Sequence, residues 1–486
     1  MGITDRRPHT HEHAFGGLNA LEREGLAVVS RRNVLKAGMA GMAGLSLPAL
    51  LRGRARAAEA GRPLAGRKSV ILLWMTGGPS QIDTWDPKPG QPLENRGPFG
   101  VIPTRLPGTF FCEHLPRQAA MLDKFTIIRS VDARHSNHEP NTVFQTGNLE
   151  AEPRTNPQAR MYPGIGSVIA KMRGANDPSM PPYVAFMKSR SHIASGGYLG
   201  EKHDPFIAND ATRLPIYTNV GVDTGRRTDA DFFRLPRGLT HERLRDRRAM
   251  LKDFDALRGA IDRSGSIEAM DHYSQQAVEL LVGSRARDAF DVSREPARVR
   301  ERYGDHLWCQ QALLARRLVE AGVAFVTLDL SYHSASGTWD THGDNIPPYG
   351  GIERGLKPLL PLFDHLITTL VGDMDERGLL DDVLVIAMGE FGRTPIMGTQ
   401  GSTDGRNHWA VVMSMALAGG GFRHGQVIGA TERDGGHIKE RPVTPGDLAA
   451  TIYHHMGIPL DATYLDATAR PRPIVENDGK PLAELL

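Results

Sequence analysis

The chain has almost no cysteine, only Cys112 and Cys309 among 486 residues. With no CxxC pair, a disulfide-stapled scaffold and a thiolate-rich metal site are both excluded; whether the two cysteines pair is open from sequence alone. Net charge is missing too. Lys and Arg number 58 against 56 Asp and Glu, a formal +2. No basic stretch alternates with aromatics, so nucleic acid is not an expected partner. Beyond the N-terminal segment no apolar run approaches the roughly 20 residues that a transmembrane helix needs. Internal repeats and low-complexity linkers are absent. What remains, 40% hydrophobic with 53 Gly and 33 Pro, suits a loop-rich α/β protein of one large domain or two ordinary ones.

The N-terminus is a targeting segment rather than fold. Ser30-Arg31-Arg32-Asn33-Val34-Leu35-Lys36 matches the twin-arginine export pattern, with Val where Phe is common. An apolar stretch of small residues, Ala37 to Leu51, follows and is too short to span a bilayer comfortably. Ala55-Arg56-Ala57 supplies a small-x-small cleavage site. Residues 1–57 are therefore expected to be a signal read by the twin-arginine export machinery, with an uncleaved anchor as the alternative, and residues 58–486 to be the folded domain. The expected location is periplasmic or otherwise exported, by a route that carries folded proteins and tolerates an inserted cofactor.

The mature chain alternates short apolar runs with helical patterns. Ser69 to Met75 reads as a first buried strand, Phe125 to Val131 as a second and Pro182 to Met187 as a third. The Gly- and Pro-rich segment to about Arg237 reads as loops. Residues 239–321 change character, with Leu244, Leu251, Phe254 and Leu257 at helical spacing, and are expected to form a helical insert whose charges are solvated. Val323 to Leu330 is a further strand. Leu359, Phe363, Leu366, Ile367, Leu370 and Met374 give one apolar stripe, with Pro358 and Pro361 placed near the first turn and Gly378 as the stop. Val383 to Met388 has the all-apolar look of a strand covered on both faces. Trp409 to Ala418 is another strand, and Thr444-Pro445-Gly446-Asp447 opens a helix to His455.

Chemistry-bearing residues gather at the ends of these strands, where open α/β sheets bind ligands. Thr76-Gly77-Gly78-Pro79-Ser80 follows the first strand. Its glycines permit an anion nest, and Thr76 or Ser80 offers a nucleophile or an anion donor; the plainer reading is a turn. His135 and His138 follow the second strand, three apart, on one face if the segment is helical. His192, His203 and Asp204 lie in the loops, as contacts to substrate or as bystanders. Asp340, His342, Asp344, Glu390, Arg393 and His408 cluster along Thr338 to Ala410, and are of the types that bind hard or borderline metals and anions. Glu390 sits just past a buried strand, beside two glycines and an arginine, a position that favours function over a plain surface loop.

The motifs WMTGGPSQIDTWDPKP, HSNHEPN…TG, TWDTHGDN, GEFGRTP and GRNHW resemble the exported bacterial proteins of the domain-of-unknown-function 1501 family, over nearly all of the mature chain. That family is similar in turn to the alkaline phosphatase and sulfatase superfamily. The resemblance implies an α/β fold: an alkaline-phosphatase-like three-layer sandwich with a largely parallel central sheet and a helical insert. It also implies metal ligation, with Asp340 and His342 as an early Asp/His pair, Glu390 in place of an Asp-His-Gly turn and His408 as the late His. His135 or His138 would complete the shell of one or two divalent ions, Zn, Ca or Mg. Three departures stand out. Thr76-Gly77-Gly78 replaces the carboxylate that normally follows the first strand, the Cys/Ser-x-Pro-Ser-Arg sulfatase nucleophile motif is absent, and Gln81 stands where family members often have His. They count against a complete two-metal centre and a formylglycine mechanism. The expected function is a metal-dependent hydrolase of phosphate or sulfate esters, acting on an anionic small-molecule or saccharide ester, with Ser80 or Thr76 as nucleophile or oxyanion donor and Arg393 as a bidentate anion clamp. The alternative is an exported binding or scaffold protein that kept the fold and lost catalysis.

Overall fold

In the computed structural model the described residues are 67–138, 142–218, 221–230, 232–233, 284–343, 348–398 and 401–486. The twin-arginine segment, residues 239–283 of the expected insert, and Asp344 lie outside them. Eight strands form one sheet: Ser69–Trp74 (β1), Phe125–Asp132 (β2), Tyr183–Phe186 (β3), Phe206–Ile207 (β4), Phe325–Asp329 (β5), Val383–Met388 (β6), Val412–Gly419 (β7) and Gln426–Ile428 (β8). Their order is β8-β2-β7-β6-β1-β5-β3-β4. Only β7 runs against the rest, antiparallel to both β6 and β2, so the sheet is largely parallel, as expected.

β1 lies at its centre because it is apolar from Val70 to Trp74 and can be covered on both faces. It pairs with β6 from Ser69↔Val383 to Trp74↔Met388, and with β5 from Val70↔Phe325 to Trp74↔Asp329. Successive side chains point to opposite faces. Ile71, Leu73, Val385 and Ala387 enter one core with Leu313 and Leu314 of Leu307–Ala321 (α2) and Phe363 and Leu366 of Lys357–Glu376 (α3). Val70, Leu72, Leu384 and Ile386 enter the other, with Ile165 and Ile169 of Ile165–Met172 (α1) and Leu448 and Ile452 of Pro445–His455 (α4). Helices on both faces of one sheet make three layers. Each fully buried Leu or Ile contributes on the order of 1.5–3 kcal/mol, so the two faces hold the strand ends in register.

Local signals set the element ends. α4 opens with a capping box, in which the Thr444 hydroxyl accepts from the Asp447 N–H at 3.1 Å and the Asp447 carboxylate accepts from the Thr444 N–H at 2.9 Å. α3 follows a wide turn at Ile352–Leu356 and carries Pro358 in its first turn, while Pro361 falls inside the helix, just past the place expected for it. Two segments differ from the sequence reading in ways that shape the site. No helix carries His135 and His138; a turn holds His135 at φ 71, and the helix that follows is Val143–Thr146. Trp409 does not belong to β7. His408 and Trp409 instead pair antiparallel with Arg393 and Gly392, which brings the late histidine against the loop after β6. Cys112 and Cys309 are separate buried thiols. Among the described residues no helix is long and apolar enough to cross a membrane.

Candidate metal centre

The site is assembled where β1, β2 and β6 run out. Past β1 the chain must turn within a narrow gap. A Cβ on Gly77 would lie 2.2 Å from the Asp340 backbone nitrogen, and Gly77 adopts φ +118, so only glycine fits. The Gly77 N–H donates to both carboxylate oxygens of Glu390, at 2.9 and 3.1 Å. Glu390 also accepts from His138 Nδ1 at 2.6 Å. That bond places the proton on Nδ1 and aims Nε2 away from Glu390.

His138 Nε2 meets His408 Nε2 at 2.9 Å and lies 3.4 Å from Asp340 Oδ2; His408 Nε2 is 3.1 Å from Asp340 Oδ1. One imidazole nitrogen holds another only through a proton, here one on His138 Nε2 donated to the His408 Nε2 lone pair. Two of them converging on one carboxylate form a donor set for a cation, and His138, Asp340 and His408 offer ligand atoms all within 4.8 Å of one another. Asp340 is fully buried and His138 nearly so, while the His408 side chain keeps 37% of its surface open, so the centre is reachable from one side.

Electrostatics suit this arrangement. Burial alone would push the Asp340 carboxyl up, but Arg393, then His138 and His408, hold it well below the usual range. Burial lowers His408 to about 4, against the opposing pull of Asp340, leaving its ring neutral and its lone pair available near neutral pH. Burial lowers His138 as well, but bonds to Asp340 and Glu390 outweigh it and raise the ring; a cation at the centre would compete with that proton.

Several expected site residues take other places. Glu390 stands behind His138, its oxygens committed to the Gly77 N–H and the His138 ring, so it positions a ligand rather than joining the three. His342 is beside the cluster, with Nε2 3.4 Å from Asp340 Oδ2. His135 is exposed in its turn, outside the cluster. Arg393 is not the anion clamp expected of it. A guanidinium has five N–H donors, and here Nε donates to the Gly78 carbonyl at 2.8 Å, Nη1 to Asp340 Oδ1 at 2.8 Å and the Arg406 carbonyl at 3.3 Å, and Nη2 to the carbonyls of Gly77 and of Trp339. No donor is left over, and the side chain is fully buried. Ser80 is also fully buried and donates to Asp83 Oδ2 at 2.5 Å, a carboxylate paired with the buried Arg406 at 2.6 Å.

Thr76 belongs to a second grouping, which the sequence reading did not assemble. Its hydroxyl donates to Asp329 Oδ1 at 2.5 Å. Asp329 Oδ2 accepts from the Lys188 N–H at 2.7 Å and from His192 Nδ1 at 2.8 Å, and His192 Nε2 donates to the Ala335 carbonyl at 2.5 Å. A signal for Asp329 was present: it is the last residue of a buried strand, the kind of position that marked Glu390.

A family model described as "Protein of unknown function (DUF1501)" matches residues 67–486. No curated protein matches. Among solved structures, a sulfatase from Pseudoalteromonas sp. is 12% identical over 83% of this chain and 70% of its own, with a TM-score of 0.36. Phosphonate monoester hydrolases from Silicibacter pomeroyi and Agrobacterium radiobacter are each 11% identical. The first covers 85% of this chain and 74% of its own with a TM-score of 0.33, and the second 86% and 78% with 0.35. At those levels no residue role passes from them to this chain.

Proposed function

The chain belongs to the family of proteins of unknown function designated DUF1501, and from the geometry of its site we propose that it is an exported, metal-dependent hydrolase of phosphate or sulfate esters. The observation that carries this reading is the convergence of the His138 and His408 Nε2 atoms, 2.9 Å apart, on the buried Asp340 carboxylate. Two imidazoles and one carboxylate suit zinc, whose catalytic sites keep a fourth position open, better than calcium or magnesium, which prefer oxygen donors alone. When bound, such an ion polarises an ester oxygen and lowers the pKa of water.

The chain's own residues do the rest. Glu390 fixes the His138 tautomer, as carboxylates behind metal-bound histidines do. Arg393 balances the Asp340 charge and ties it to the turn after β1. His342, partly open beside Asp340, is held below the usual imidazole range by burial, so its neutral ring is placed to take a proton from the attacking water. Thr76 and Ser80 are both fully buried and hydrogen-bonded to carboxylates, so the attacking group in this reading is water. Those same buried hydroxyls favour the second reading, an exported binding protein on a hydrolase-like fold.

Elemental analysis of the purified protein, with assays on 4-nitrophenyl phosphate and 4-nitrophenyl sulfate, separates the two. The expected result is bound zinc-class metal and turnover of one ester, both lost in His408→Ala with unfolding unchanged, since that side chain is partly open. A metal-free protein that cleaves neither ester overturns the hydrolase and leaves the binding protein. Export by the twin-arginine route rests on Arg31 and Arg32; a doubly lysine-substituted chain that still left the cytoplasm would remove that part of the proposal.

A further inference from the structure

Beside the metal centre, between the loop after β5 and the first turns of α3, lies a cavity of about 530 Å3. That is within the roughly 300–1,000 Å3 of pockets that hold small molecules. Its walls are of three kinds. Leu359 and Leu362 give an aliphatic side, and Tyr332 and Tyr349 give aromatic rings. His333 and Arg354 give polar groups. His333 is 97% buried, with 3% of its surface exposed, and its Nδ1 has no hydrogen-bond partner among the described residues. Arg354 is exposed, and among the described residues its guanidinium forms no ion pair or hydrogen bond; its backbone N–H is held at 3.3 Å by Asp404.

The cavity is joined to the centre through Tyr349. That ring lies 4.7 Å from the His342 ring and 5.6 Å from the His333 ring. The Ser336 hydroxyl shares a 2.5 Å hydrogen bond with the Tyr349 hydroxyl and donates to Asp340 Oδ2 at 2.7 Å. Asp404 ties the opposite wall to the loop of His408, accepting from the Glu353 N–H at 3.0 Å while its carbonyl accepts from the Ile352 N–H at 2.6 Å. A group lodged here is thus held next to Asp340 by elements that also hold the ligands.

We propose that this cavity binds the organic part of the ester: a flat, ring-bearing group with an anionic substituent at the end that reaches Arg354. Tyr349, Leu359 and Leu362 take the ring, and the guanidinium takes the anion. The proposal rests on the ester-hydrolase reading for its purpose, but its binding chemistry can be measured without turnover.

The test is a titration of naphthalene-2-sulfonate, followed by calorimetry, into chelator-treated protein, so that no ion at the centre recruits the sulfonate. Binding is expected in the unaltered chain. Arg354→Ala, at an exposed position, should weaken it about tenfold, the loss of one charge-assisted contact. Leu359→Trp, which fills the cavity, should weaken it at least as much. Failure of the probe to bind the unaltered chain, or binding in either variant as tight as in the unaltered chain, overturns the pocket. Failure of the hydrolase reading would instead show as absent metal and absent turnover, with the probe still bound and still sensitive to both variants.

Discussion

Two histidine–aspartate groupings stand at the carboxyl edge of the same sheet, His138–Asp340–His408 and His192–Asp329–Thr76. In the second, each ring nitrogen of His192 meets an oxygen acceptor, and each oxygen of Asp329 meets a donor. In the first, two ring nitrogens face each other across a carboxylate. A satisfied grouping is a lock, since it holds β1, β5 and the loop after β3 together and has nothing left to offer. The first grouping differs in kind: its contacts join two basic nitrogens to one carboxylate, which a cation could replace, and it opens to solvent at His408, whereas His192 and Thr76 are closed off. Composition does not separate the two, because both are built from His and Asp; partner type and exposure do.

The sharpest way to break that contrast is to remove Asp340. Its carboxylate is the ionic partner of the buried Arg393, and leaving such a charge unpaired costs about 3–5 kcal/mol. Asp340→Ala should therefore lose both bound metal and much of its stability, read by elemental analysis and by a urea unfolding curve. Asp340→Asn keeps an oxygen for Arg393 and should lose the metal with a smaller loss of stability. An alanine variant that unfolds at the same urea concentration as the unaltered chain would show that Asp340 does not balance Arg393.

How far the sequence discloses this edge depends on how local the cause is. β1, β6 and the stripe of α3 are written in runs of apolar residues, and each forms nearly where the pattern puts it. Glu390 is legible for the same reason, as the polar residue just beyond a buried strand. The partners are not. Arg393 is consumed by carbonyls of Gly77 and Gly78, more than 300 residues earlier, and Ser80 by Asp83, whose other partner is Arg406. An exposed clamp and a buried tether have the same letters. Only the approach of β1 to β6, which packing of both sheet faces enforces, decides between them. The ladder that turns His408 toward Arg393 is a long-range pairing of the same kind, so the motif marked His408 without showing why it arrives.

The lock has its own signature in pH. Burial pulls His192 down, but Asp329 and the Ala335 carbonyl more than offset it and hold the ring at about 8, above its ordinary 6.5. The folded chain binds this proton more tightly than the unfolded chain, so the stabilisation is complete below about pH 6.5 and is lost as pH rises through about 8. At roughly 1.4 kcal/mol per pKa unit it amounts to at most about 2 kcal/mol. Unfolding free energies at about pH 6 and pH 9 should show the gap between the unaltered chain and His192→Gln closing at the higher pH. Parallel pH dependence in the two would mean that His192 is not charged in the lock.

The smallest effect is expected where the sequence signal was misleading. His135 and His138 have the spacing of a helical ligand pair, yet no helix forms there. A turn with His135 at φ 71 leaves that ring exposed while His138 is carried inward to Glu390. Three-residue spacing places two side chains together only if the backbone between them is helical. His135→Asn, a residue that also tolerates that φ, should accordingly leave metal content intact and change stability by no more than about 0.5 kcal/mol, the usual range for an exposed site. His138→Ala should empty the centre, because it removes both a ligand atom and the group that Glu390 holds in place. Measured side by side, the pair tests whether the centre is specified by motif spacing or by the long-range contact between the loops after β2 and β6. Loss of metal from the His135 variant would favour spacing and would require a conformation of this turn other than the one described.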